Sequence, residues 1–224
     1  MRRTPKILLA VSALVGGGAV TVAAAALAPA APVDSKAVGR VAGDRESGEA
    51  AATLLLADGT EVGRVRFGAG EGDDEGATAV EVTVDVPDGT TAVGAFHGLH
   101  VHANDDPANG EGCVADPAAP ASAWFTSADG HLKEGTQTHG THVGDMPPLD
   151  VDADGHAHAS FTTSRLDPDE LAGRVVVLHA GPDNLGNVPT GAGPDQYTAN
   201  SPAAADKTKA TGNAGDRVAC GVIH

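Results

Sequence analysis

The sequence predicts an all-β fold, a Greek-key β-barrel or sandwich of about eight antiparallel strands with two long functional loops. Three observations point there. Residues 77–86 alternate cleanly, with Val80, Val82, Val84 and Val86 on one face and Glu81, Thr83 and Asp85 on the other, the period-two pattern of a half-buried strand. The 30 glycines and 14 prolines supply many turns. No stretch holds a convincing helical period, beyond one turn that Asp167-Pro168 can open.

In chain order, residues 1–30 read as an export signal. Arg2, Arg3 and Lys6 precede an apolar stretch at 7–15 and a Gly/Ala-rich run, and small residues at Ala28 and Ala30 suit cleavage. An uncleaved membrane anchor is the rival reading of the same span. Residues 31–49, Ala, Pro and charge without periodicity, read as a flexible tether. Residues 50–224 then form the one domain that this length supports. Strands are expected at 50–57, at 60–67 after the Asp58-Gly59 turn, at 77–86, and over 91–102. Residues 103–148, rich in Gly, Pro, Asp, Asn and His, form a loop; so long a stretch without regular structure is functional or pinned. Strands resume at 149–151 and 156–163, joined by a turn at 152–155, then at 174–180, an apolar run typical of a buried strand, and at 217–223. A second long loop covers 181–216.

Aromatic residues make up only 3% of the chain, so the core rests on Val, Leu, Ile and Ala, helped by Phe67, Phe96, Trp124, Phe125 and Phe161. Thirty acidic residues against 14 basic ones give a net charge of -16, which argues against nucleic acid and anionic membrane surfaces as partners. A membrane enters only if the N-terminal segment is not cleaved. The two cysteines, Cys113 and Cys220, suggest one disulfide in an exported chain, with two separate buried thiols as the alternative.

Ten histidines then need a reason. His100 and His102 stand at i and i+2 in GLHVH, a spacing that puts both rings on one face of a strand, where they can chelate one ion. His139, His142 and Asp145 fall at i, i+3 and i+6 in HGTHVGD. A backbone with three residues per turn aims all three side chains one way, and two imidazoles with a carboxylate match zinc's preferred ligands. His131, upstream, can supply a fourth, and His179, ending an apolar strand, can complete a copper site with the strand pair. His156 and His158 repeat the i, i+2 spacing but run in line with Ser160 and Thr162, as an ordinary polar outer face. DVDADG at 150–155 looks like the start of a calcium loop, yet its twelfth position is Phe161 rather than Glu, so it reads as a turn.

Together these residues closely resemble the copper,zinc superoxide dismutase family. The matching segments are FHGLHVH at 96–102, GEGCVAD at 110–116, HVGD at 142–145, VVVLHAGPDNLGN at 175–187 and TGNAGDRVACGVI at 211–223, in the family's order. The resemblance implies copper ligands His100, His102, His131 and His179, and zinc ligands His131, His139, His142 and Asp145, with His131 bridging. It implies a Cys113–Cys220 disulfide, Asp183 as the carboxylate linking a copper-ligand histidine to a zinc-ligand histidine, Arg217 as the active-site arginine, and a structural His97. Three features depart from the family pattern. The step from His139 to His142 is shorter than usual, the second loop carries extra sequence over 188–209 whose Lys207 and Lys209 do not align cleanly with the steering lysine, and the sequence stops at His224, just after the last expected strand.

The activity so implied is dismutation of superoxide to oxygen and hydrogen peroxide, with copper and zinc as cofactors. Arg217 offers permanent charge to a small anion, and His131 a proton. The alternatives are a copper-only dismutase and a non-catalytic copper- or zinc-binding module of the same fold. The location implied is extracytoplasmic, and the oligomeric state is left open.

Overall fold

The structure, a computed structural model, describes residues 49–71, 76–188 and 201–224. The signal or anchor segment at 1–30 and all but the last residue of the tether at 31–49 lie outside the described residues. Among the described residues no helix is long and apolar enough to cross a membrane.

The strands are β1 Ala50–Leu56, β2 Glu61–Ala69, β3 Thr78–Asp85, β4 Ala95–His97, β5 Leu99–His102, β6 Leu149–Val151, β7 His156–Thr163, β8 Val175–His179 and β9 Arg217–Val222. All pairings are antiparallel. Seven strands form one curled sheet in the order β5-β8-β9-β1-β2-β3-β7, and β4 pairs with β6 in a small second sheet. Because β4 runs on into β5 and β6 into β7, the small sheet connects the two ends of the large one.

The strand expected over 91–102 is two strands, broken at Gly98. A Cβ there would lie 2.8 Å from Asp183 Oδ1 and 2.9 Å from His100 Cε1, so only glycine lets the chain pass this close to the site. In β2 the simple alternation fails for a related local reason. Leu54 faces Gly63 while Leu55 faces Glu61, which leaves Val62 as the extra residue of a bulge, so Val62 and Val65 both point inward.

One face of the curled sheet packs Leu54, Phe67, Val80, Val82, Val84, Leu99, Val101, Val176, Leu178 and Ile223 into the main core. Val175, Val177 and Cys220 point the other way, against Phe125 and Ala128 of the first long loop, which is why β8 is buried on both faces. Cys113 and Cys220 form a disulfide with a sequence separation of 107, so the loop that covers this face is tied to β9. Phe96 does not help the core; it is 55% exposed on β4.

The second long loop contains a helix, α1 (Pro202–Thr211), where no convincing helix was expected. Its cues are at its ends: Ser201 caps it by accepting from Ala204 N, Pro202 occupies the first turn, and Gly212 ends it at φ 60°. Only Ala204 and Thr208 are buried, so the apolar stripe that announces a helix is nearly missing.

Candidate metal centre

β5 places His100 and His102, and the first loop is laid against its free edge by backbone bonds. Leu132 N donates to Val101 O and Val101 N to Gly144 O, both at 2.8 Å, so His131 sits beside His102 and Asp145 beside His100. β8 brings His179. Among the described residues two groups of potential ligand atoms converge, each with its atoms within 4.8 Å of one another. They are His100, His102, His131 and His179, and His100, His131, His139 and Asp145. All of these residues are buried.

The first group is the four-histidine set expected from the sequence. In three of its members the far nitrogen is committed to an oxygen acceptor. His100 Nε2 donates to Asp183 Oδ2 at 2.8 Å, His102 Nδ1 to Asp129 O at 2.9 Å, and His179 Nδ1 to Gly215 O at 3.2 Å. Each bond fixes the tautomer and leaves the other nitrogen as a lone pair. His100 Nδ1 is buried without a partner, and His102 Nε2 faces His179 Nε2 at 3.3 Å. Burial, then the neighbouring imidazoles and Arg217, hold His102 well below the usual range of a histidine, and burial does the same for His179. Burial pushes His131 down to about 4. These rings are therefore neutral at pH 7, the state that a metal ligand requires.

The second group is looser than the sequence suggested. His139, His142 and Asp145 follow one another through two tight turns, with Thr141 N donating to Thr138 O and Asp145 N to His142 O. Gly140 between them is left-handed at φ 88°, however, so the backbone does not keep one three-residue period across the segment. His131 Nδ1 lies 2.9 Å from Asp145 Oδ1 and 3.3 Å from His142 Nδ1. His142 Nδ1 is also 3.3 Å from Asp145 Oδ1. His142 thus touches the cluster through these two neighbours without converging with His139. Burial favours a protonated Asp145, but the His131 hydrogen bond and the surrounding imidazoles outweigh it and hold the carboxyl at about 2. His139 Nε2 lies 3.2 Å from Asp183 Oδ1, though neither atom completes a hydrogen bond, so Asp183 stands between His100 and His139 but bonds only His100.

α1 holds His139 in place. His139 N donates to Lys209 O at 2.6 Å, Asn187 Nδ2 donates to His139 O at 2.6 Å, and the His139 ring lies flush on Gly212. Arg165, which the sequence reading passed over, reaches from the loop after β7 to Gly140 O at 3.4 Å and His142 O at 3.2 Å. Meanwhile Gly140 N and His142 N donate inward to Asp145 Oδ2, so this short segment is held on both sides. No sequence signal marked Arg165, because its partners are carbonyls of a distant loop.

Arg217 opens β9 and donates to the carbonyls of Phe125 and Asp129. It lines an open cleft of about 640 Å³ together with His131, Asp129, Lys133 and Asp105. Lys207 and Lys209 lie exposed on α1, outside that lining. His97 donates to His179 O at 2.9 Å and belongs to neither cluster. His156 and His158 are exposed on β7, as the polar outer face required.

An antiparallel β-sandwich whose loops bring oriented imidazoles and a carboxylate into two adjoining clusters defines a class of protein, a histidine-rich binuclear metalloprotein. The family model described as copper/zinc superoxide dismutase matches residues 62–223. The chain is 35% identical over 183 residues to the Superoxide dismutase [Cu-Zn] of Mycobacterium tuberculosis, covering 76% of this chain and 68% of that protein. It is 35% identical over 137 residues to the Extracellular superoxide dismutase [Cu-Zn] of Brugia pahangi, covering 57% of this chain and 56% of that one. Among solved structures, the crystal structure of the clock protein EA4 matches with a TM-score of 0.50 at 25% identity, over 79% of this chain and 93% of the other. The chain belongs to the copper/zinc superoxide dismutase family.

Proposed function

We propose that this protein is an exported superoxide dismutase, with His100, His102, His131 and His179 holding copper and His131, His139, His142 and Asp145 holding zinc. The observation that carries the reading is the first cluster. Three imidazoles have their far nitrogens bound to oxygen acceptors, and with His131 they offer ligand atoms within 4.8 Å of one another in a buried site, a donor set that suits copper. When bound, copper supplies a one-electron redox couple, and zinc, which has none, supplies fixed charge that orders the loop. Overall, two superoxide ions and two protons become oxygen and hydrogen peroxide.

The chain's own residues supply the rest. Arg217, fixed by two carbonyls and lining the open cleft, draws the substrate anion to the buried histidines. His131 sits at the boundary of the two clusters with Nδ1 donating to Asp145, which leaves Nε2 as a lone pair that can take up a proton and pass it to the peroxide as it forms. Asp183 keeps His100 in the tautomer whose Nδ1 is free. The disulfide and the extracellular relative support export, with residues 1–30 as the signal. The test is His102→Ala, which should lose copper and dismutation while its circular dichroism stays that of the wild type. Near-normal activity in that variant would sink the copper assignment.

A further inference from the structure

Asp129 has φ 62° and ψ −153°, a conformation open to glycine and strained for a residue with a Cβ. Its carbonyl oxygen serves two groups of the site at once, accepting from His102 Nδ1 at 2.9 Å and from Arg217 Nη2. Its carboxylate points to the rim of the cleft. Oδ2 accepts from the backbone N–H of Asp105 at 2.7 Å and of Asp106 at 2.8 Å, and Oδ1 accepts from Asn109 Nδ2 at 2.8 Å. Phe125, at the other end of the helical turn Thr126–Ala128, is also left-handed at φ 54° and gives its carbonyl to Arg217 Nη1. Both acceptors of the guanidinium therefore belong to residues in unfavourable backbone conformations that bracket a single turn.

A strained peptide persists only where its surroundings over-determine it. At Asp129 the over-determination is visible: three donors, two of them backbone amides, hold one ionised carboxylate. We propose that Asp129 is a positioning residue, whose carboxylate ties the strained peptide to the rim segment 105–109 so that its carbonyl stays aimed at His102 and Arg217. The rim thereby sets the tautomer of a copper-ligand histidine and the orientation of the anion-binding arginine. The inference rests on the reading of His102 as a copper ligand and Arg217 as the substrate-binding group.

Asp129→Ala and Asp129→Gly separate the carboxylate from the backbone. Both lose the three rim bonds, but glycine adopts the conformation without strain. The readout is solvent exchange of the His102 Nδ1 proton by NMR in the full chain as isolated, kept reduced so that any copper is diamagnetic. Exchange should be about tenfold faster in Asp129→Ala than in wild type and close to wild type in Asp129→Gly, while the Asp105 and Asp106 amides exchange faster in both. In the copper-loaded protein, azide should bind Asp129→Ala more weakly than Asp129→Gly, by about fivefold. A protected His102 proton in Asp129→Ala would overturn the proposal, because the backbone would then need no carboxylate. Equal loss in both variants would overturn it as well, since glycine would have rescued a strained peptide, and equal azide affinities would remove the Arg217 half. Failure of the copper reading shows separately, as wild type that takes up no copper.

Discussion

Replacing Gly212 by Ala tests how far α1 controls the second cluster. The new Cβ would lie 2.3 Å from both Cε1 and Nε2 of the His139 ring and 2.7 Å from Cδ2. The ring cannot back away freely, since it is fully buried with Asp183 Oδ1 3.2 Å from Nε2. Two costs follow. A side chain at φ 60° costs roughly 1–2 kcal/mol, and forcing a buried ring aside costs roughly 1–3 kcal/mol more. Gly59→Ala isolates the first cost, because Gly59 has φ 85° and nothing within 4 Å of the added Cβ. Urea denaturation of both variants should therefore place Gly212→Ala about 1–3 kcal/mol below Gly59→Ala. Zinc measured after identical dialysis should fall in Gly212→Ala and stay at the wild-type level in Gly59→Ala. If the two variants were equally stable and equally loaded, the helix end would not position His139, and the reasoning would fail.

Further outcomes are expected. Cys220→Ser should lower stability by about 4–5 kcal/mol in the chain-entropy account, read by urea denaturation, and should loosen the loop bearing Phe125 and Ala128. Arg165→Gln should quicken zinc release to a chelator by about fivefold, the effect of roughly 1 kcal/mol of lost bonding, with copper retained; unchanged release would remove Arg165 from the site. For the metal-free protein, His131 is held near 4 when folded, so the unfolded chain takes up its proton first as the pH falls. The stability contribution of neutral His131 is thus present above the ordinary histidine value of about 6.5 and lost as pH falls through about 4. Denaturation midpoints measured across that window should decline, and a flat profile would contradict the burial assigned to these rings.

The sequence alone determined the strands and the residue types of the site. Both are local properties: the period of two along β3 marks which side chains can be buried together, and HVH or HGTHVGD lists ligands spaced for one face. It did not reveal α1, because a helix with only Ala204 and Thr208 buried leaves almost no apolar period to read. It also missed the break at Gly98 and the bulge at Val62, which arise from what approaches the strand, not from its own residues. Only the tertiary structure decided that His142 reaches the second cluster through His131 and Asp145, that Arg165 clamps the same loop, and that the Asp129 carbonyl serves both His102 and Arg217. Arg165 and Asp129 act chiefly through main-chain carbonyls, every residue has one, and only the folded path of the chain decides which donor it meets.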